Sequence, residues 1–433
     1  APAFESLRLK AAASAPPMKI KRVDTIYWKS REDAPFWPHW TWVRLHTDSG
    51  LTAVGETYPR NAGEAAMIHH HVARMLSGRD PRDIERIWAD FYRTFDYQIA
   101  GGTEMRVLSA IDLALWDLLG KSLNTPVWRL IGGRSNPRVR LYNTCFPHKY
   151  DFNKEPEKIM AEILDRYGIR AIKVWPFDGA AQRNQHQFIT VQDIDQALAP
   201  VRKLRDAFGD KIEILIEFHS NWNLTSAIRI ARALEPYKPM WLEDMLLPGN
   251  FPQYRQLAEA TSLPLIAGER VAGRYQFGQM LESRAFKYIM FDLCWCGGLS
   301  EARKIAAMAD AWQLPVAPHT AGGPLLFYAS THLTTASTNV WIQESCQRFY
   351  ESDWPKMLDN PLKPAEGGIA APDAPGFGME IKPEIWRHPA AVVETPLLFE
   401  AGMDGAYDAT IAVVADEEIG AERAAGRGHE AVD

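Results

Sequence analysis

Three glutamates, Glu217, Glu243 and Glu269, follow one another at a step of 26 residues, each ending a short apolar run. Carboxylates gathered in a buried site repel one another, and each loses its hydration. A hard divalent cation resolves both costs. Carboxylate oxygens suit Mg2+, which leaves positions open for substrate oxygens. The competing arrangement pairs each glutamate with a cationic side chain, Glu269 with Arg270 for example. Asp292 and His319 end the next two apolar runs. On adjacent strands they would come within side-chain reach. A carboxylate on one ring nitrogen fixes the tautomer and raises the basicity of the other, which makes a general base. Lys173 lies near the end of another run, where its ammonium could neutralise a substrate carboxylate or stabilise an enolate. It could equally pair with one of the acids. His219 is two residues beyond Glu217, on the same side of an extended chain. It could protonate a leaving hydroxyl or hold structure. Glu344 could hydrogen-bond a substrate carboxylate or form a structural salt bridge.

The elements that must position these residues are legible in the pattern. Apolar runs at 171–175, 212–218, 240–242, 263–267, 288–292, 314–317 and 340–343 alternate with amphipathic helical stretches such as 225–234 and 299–312. Glu217, Glu243, Glu269, Asp292, His319 and Glu344 stand at or just beyond the ends of successive runs, 23 to 27 residues apart. One strand plus one helix per step is the signature of a βα barrel. Its buried parallel strands are continuously apolar, and its strand ends share one mouth. Before the barrel, 20–27, 41–46 and 51–57 read as strands, and helical periodicity runs from about 62 to 130. In the stretch 104–122, Ile111, Leu115 and Leu118 share one face. The fold class expected is α/β, with an α+β unit ahead of the barrel.

The 433 residues carry a formal net charge of −6. Nothing in that balance points to nucleic acid or an anionic membrane, and no apolar run approaches the ~20 residues that span a bilayer. Cys145, Cys294, Cys296 and Cys346 are too scattered for a disulfide framework or a zinc site. They read as reduced thiols in a cytoplasmic protein. The first 17 residues lack the apolar stretch of a secretory signal. Dinucleotide, P-loop, zinc-protease and serine-hydrolase motifs are absent.

In order along the chain stand residues 110–117 (AIDLALWD) with Lys121, Pro126-Val127, residues 130–133 (LIGG), Ile172-Lys173 and Glu217. Residues 241–244 (WLED), Gly268-Glu269, Asp292 with residues 296–298 (CGG), Pro318-His319 and Glu344 follow. This set resembles the mandelate racemase branch of the enolase superfamily across residues 18–395. The resemblance implies an N-terminal α+β capping domain (18–140), a modified TIM barrel of (β/α)7β form (141–370) and a segment returning to the cap (371–395). Residues 1–17 and 396–433 are then extensions, the second reading as mobile. It also implies Mg2+ on Glu217, Glu243 and Glu269, a carboxylate substrate that chelates the metal, an enediolate formed by loss of the α-proton, and a homo-oligomer. One departure is informative. The racemase pattern places a second lysine, a base, where this chain has Trp175; Lys173 matches the first. A lone lysine with Glu217-x-His219 and a His319–Asp292 dyad resembles the sugar-acid dehydratases of the galactonate type, although their first metal ligand is often aspartate. The reaction expected is loss of water from an aldonate or aldarate to a 2-keto-3-deoxy acid. A racemase or epimerase of a 2-hydroxy acid, a cycloisomerase and a non-catalytic sugar-acid-binding barrel are the alternatives. His39 and Arg60 are the candidates for contact with the distal part of the substrate, and Trp175 is a further candidate for substrate contact.

Overall fold

The structure, a computed structural model, describes residues 17–29, 39–57, 62–94 and 101–387. Arg60 and the extensions 1–16 and 396–433 lie outside the described residues.

The chain opens with an antiparallel sheet of β1 (Ile20–Lys29), β2 (His39–Thr47) and β3 (Thr52–Thr57), in that spatial order. The turn at Asp48-Ser49-Gly50 joins β2 to β3, with Gly50 at a φ of 82° that a side chain would resist. After shorter helical turns come α1 (Ile84–Thr94) and α2 (Gly102–Ser122). The single apolar face expected for α2 understates its burial. From Val107 to Leu118 every residue is buried, polar ones included. The reason is position: α2 lies between the sheet and a barrel helix. Gly55 on β3 touches its backbone so closely that a Cβ there would stand 1.9 Å from the Ala110 carbonyl oxygen. On the other side Asp112 accepts from the Ser300 amide at 2.9 Å, and the Trp116 indole donates to the Ser300 hydroxyl at 2.9 Å.

The barrel follows. Parallel strands β4 (Val139–Thr144), β5 (Ala171–Val174), β6 (Glu213–Glu217), β7 (Trp241–Glu243) and β8 (Leu265–Ile266) pair in sequence, and β9 (Gln343–Ser345) pairs with β4. Between β5 and β6 run α3 (Asp178–Arg183) and α4 (Val191–Phe208). Between β8 and β9 run α5 (Gly273–Ser283), α6 (Gly298–Ala311) and α7 (Pro324–Ala336). The ring is completed by single parallel bridges, Ile289 with Val316 and Val316 with Val340. The runs at 288–292 and 314–317 therefore occupy strand positions without full ladders. Pro315 and Pro318 explain the second: neither has an N–H to give. Tyr142, Ala171, Leu215, Trp241, Ile266, Met290, Ala317 and Ile342 fill the interior as one cluster. The result is an α/β fold, a modified (β/α)7β TIM barrel with an N-terminal α+β cap. At 379–382 the chain makes one bridge, Leu358 with Ile381. Upstream of it the chain lies against the cap helix, where Phe377 donates to Asp117 at 3.0 Å.

A buried histidine on α7 gives the fold a pH dependence. His332 Nδ1 accepts from the Trp128 amide at 2.9 Å, so Nε2 carries the proton and faces the Phe377 carbonyl at 3.1 Å. Burial pulls its pKa from the usual 6.5 down to about 3. The unfolded chain takes up a proton here below about 6.5, whereas the folded chain does so only near 3. This contribution to stability is whole above pH 6.5 and is lost as the pH falls from there toward 3. Between pH 7 and pH 5 the loss amounts to about 2 kcal/mol. Denaturant unfolding of the wild type and of His332→Gln at both pH values should differ by that amount. Equal pH dependence in the two would remove the assignment.

Candidate active site

The mouth of the barrel collects the residues singled out by their spacing. Glu217 ends β6 and Glu243 ends β7, in register with each other. Glu269 lies just beyond β8. Gly268, before it, has φ 130°, and a Cβ there would stand 2.1 Å from the Met290 carbonyl oxygen, so only glycine lets the chain pass. All three glutamates are buried, and one oxygen from each lies within 4.8 Å of the others.

Their hydrogen bonds are incomplete in an informative way. Glu217 Oε1 accepts from the backbone amides of Phe218 at 2.9 Å and His219 at 2.6 Å. His219 and Ser220 reach that arrangement with φ values of 49° and 61°, a left-handed conformation uncommon outside glycine. Glu217 Oε2 accepts no hydrogen bond, although it is buried. Glu243 accepts from Lys173 Nζ at 2.5 Å and from the Trp241 indole at 2.9 Å. Glu269 meets Arg270 Nε at 3.0 Å. Burial works against the charge of Glu217 and Glu243 alike. Glu217 stays low, at about 2, because Glu243, His219 and Lys173 outweigh that burial. Glu243, facing the charge of Glu217, is pushed well above the usual carboxylate range. Three converging carboxylates and a buried Glu217 oxygen that accepts no hydrogen bond fit a hard divalent cation.

Lys173 is fully enclosed, 2.5 Å from Glu243, 2.9 Å from Glu344 and 3.5 Å from Glu217. The ion pair foreseen as its alternative role is the arrangement present. Burial would strip its proton, but the surrounding carboxylates hold its pKa well above the usual value. Glu344, in β9, is saturated. It accepts from the amides of Thr320 at 2.7 Å and Ala321 at 3.0 Å, from Lys173, and from the Thr144 hydroxyl. Lys173 and His319 outweigh burial and hold it at about 2.

Asp292 and His319 meet as expected, with Asp292 Oδ2 at 2.7 Å from His319 Nδ1. The Cys294 amide donates to the other oxygen at 2.6 Å. His319 Nε2 is then turned to the triad, 3.2 Å from Glu269 and 3.6 Å from Glu344. Burial lowers the imidazole pKa, but Glu344, Glu269 and Asp292 together raise it to about 9. Any cation taken up by Glu269 weakens that pull. His219 stands at the other side of Glu217. Its Nδ1 is 2.6 Å from Asp178 Oδ2, and its pKa rises to about 9 because Glu217 and Asp178 outweigh burial. Trp175 packs edge-on against the His219 ring, with centroids 5.7 Å apart. From it an aromatic series, Phe146, Phe349, Trp40 and Trp28, leads back to the cap. His39 is buried at the start of β2 with Nδ1 2.7 Å from the Tyr27 hydroxyl.

Two contacts lie outside the step of strand ends. Asp178 is remote in sequence from His219 and begins a short helix. Trp241 was recoverable, since residues i and i+2 of a strand face one side and Glu243 is two residues on.

Comparison with known proteins agrees with this geometry. Residues 157–385 match the enolase C-terminal domain-like family, and residues 37–132 match the mandelate racemase/muconate lactonizing enzyme N-terminal domain. The chain belongs to the enolase superfamily, in its mandelate racemase/muconate lactonizing enzyme branch. Among solved members of the superfamily, an enolase of the mandelate racemase subgroup from Agrobacterium tumefaciens is similar at 37% identity. Its TM-score is 0.77, over 85% of this chain and 96% of that one. An enolase protein from Sargasso Sea environmental sequencing is similar at 34% identity and TM-score 0.77, over 86% and 97%. A D-galactonate dehydratase of Xanthomonas euvesicatoria pv. vesicatoria is 32% identical over 390 residues, covering 86% of this chain and 97% of its own length. One from Ralstonia nicotianae is 32% identical over 373 residues, covering 81% and 94%. Among the described residues, no helix of this superfamily member is long and apolar enough to cross a membrane.

Proposed function

We propose that the protein dehydrates a sugar acid of the aldonate or aldarate type, giving a 2-keto-3-deoxy acid. Glu217, Glu243 and Glu269 would hold Mg2+. When bound, the ion supplies Lewis-acid stabilisation of the charge that builds on the substrate carboxylate as the α-proton leaves. His319 Nε2 takes that proton, with Asp292 holding Nδ1–H and the orientation of the ring. Lys173, enclosed by acids, supplies fixed positive charge beside the carboxylate site. His219 gives a proton to the departing 3-hydroxyl, which leaves as water. The enol left behind tautomerises to the keto acid.

The observation that carries this reading is the pair of histidines flanking the carboxylate triad, with Trp175 where a racemase would need a second base. One base and one acid suit elimination; proton transfer between two faces needs two bases. The D-galactonate dehydratases among the relatives support the same class. The test is a library of aldonates and aldarates incubated with the protein and Mg2+, followed by assay of 2-keto acid. At least one member should be converted. Failure with every member would overturn the reading, and α-deuterium incorporation with inversion but no keto acid would favour an epimerase.

A further inference from the structure

Asp178 stands outside every motif in the sequence, yet the fold brings it to His219. It is the first residue of α3, in the connection that leaves β5. Its Oδ2 lies 2.6 Å from His219 Nδ1, and that is its one side-chain partner among the described residues. Its Oδ1 is buried and accepts no hydrogen bond. A buried carboxylate oxygen left unpaired costs stability, so an acid kept in that state calls for an explanation beyond packing.

The histidine it meets is held from several directions. Its backbone amide is given to Glu217, its φ is 49°, and Trp175 lies edge-on to the ring. Nε2 makes no hydrogen bond among the described residues. A structural histidine of this protein looks different: His332 uses both ring nitrogens, one toward the Trp128 amide and one toward the Phe377 carbonyl. His219 matches His319 instead. Each has Nδ1 on an aspartate, at 2.6 and 2.7 Å, and each adjoins the carboxylate triad.

We propose that Asp178 is the positioning residue for His219. It accepts from Nδ1–H, fixes the ring, and so leaves Nε2 as the atom that delivers a proton to the leaving hydroxyl. The role rests on the dehydratase reading above, and it separates the two halves of that reaction. His319–Asp292 removes the α-proton and His219–Asp178 completes the loss of water.

The separation can be measured. With a converted sugar acid in D2O, α-proton exchange and keto-acid formation are followed together by NMR for wild type, Asp178→Asn, Asp178→Glu, His219→Asn and the double variant Asp178→Asn/His219→Asn. Asp178→Asn keeps the side-chain volume. It should slow keto-acid formation roughly 10- to 100-fold, a share of what a general acid supplies. Exchange should stay within about twofold of wild type, because His319 is untouched. Asp178→Glu should recover part of the elimination rate. The double variant should be no slower than His219→Asn alone, since groups that act as a unit are not additive. A wild type that converts no sugar acid would overturn the dehydratase reading and this role with it. A wild type that dehydrates, beside an Asp178→Asn that loses exchange and elimination together or loses neither, would overturn the role of Asp178 alone.

Discussion

Replacing Glu243 with glutamine is expected to leave a folded protein whose kcat lies at least about a thousandfold below wild type, equivalent to about 4 kcal/mol of lost transition-state stabilisation. The loss should fall on kcat more than on KM. A second negative charge forms on the substrate only along the reaction path, so an interaction with that charge is strongest at the transition state. Chelation of the wild type by EDTA should give the same loss, reversed by Mg2+ and by Mn2+. Folding should survive because the barrel interior is an apolar layer that does not depend on the triad. Glutamine keeps the volume but offers one acceptor oxygen where glutamate offers two. Either the bond from Lys173 or that from Trp241 is then lost, at about 1–3 kcal/mol, though Lys173 keeps Glu344. Against this, the variant no longer buries a carboxyl group beside Glu217. A readout independent of turnover is the melting temperature. Mg2+ should raise it for wild type, as any ligand of the folded state does, and leave it unchanged for Glu243→Gln. Full activity in enzyme verified to be metal-free would remove the assignment of all three glutamates.

The parts of this site that could be read in advance share one cause. Glu217, Glu243, Asp292 and His319 sit where a βα repeat must end its strands, and the period of that repeat survives in the sequence even where the strands do not. Ile289 and Val316 are held by isolated bridges only, yet the residues that follow them still form the dyad. Position along a barrel is set by backbone geometry, which periodicity reports. Contacts between loops are set by packing, which periodicity does not report. Asp178 is 41 residues from His219, and neither the strand step nor the motif order links them. The burial of α2 on both sides follows likewise from the layer laid over it. Its polar residues Ser109 and Asp112 face the barrel helix α6 rather than water. For Lys173 the residue type was informative and the partner was not. An ammonium at the end of β5 serves a substrate carboxylate or an ion pair equally well, and only the fold shows that Glu243 and Glu344 stand beside it.

His319→Asn is expected to abolish both α-proton exchange and dehydration, by roughly 10²- to 10⁴-fold, the share a positioned general base contributes. The side-chain amide can still donate to Asp292, so the buried carboxylate keeps a partner and the fold should hold. What disappears is Nε2, the nitrogen turned toward Glu269 and Glu344. Asp292→Asn should act through the same atom. An amide there can present a donor to Nδ1, which moves the ring proton to Nε2 and blocks the base without removing it. The two variants should therefore share one phenotype, loss of exchange, and differ in that from Asp178→Asn, which retains exchange. The outcome also decides between reaction classes. Lys173 is the remaining amine near the carboxylate site, and it is enclosed by three glutamates that hold its proton. Position 175, where a second base would stand, is a tryptophan packed on His219. Exchange that survived in His319→Asn would have to come from Lys173 or His219. It would mean bases on two faces, the arrangement an epimerase requires, and the one-base elimination would fall.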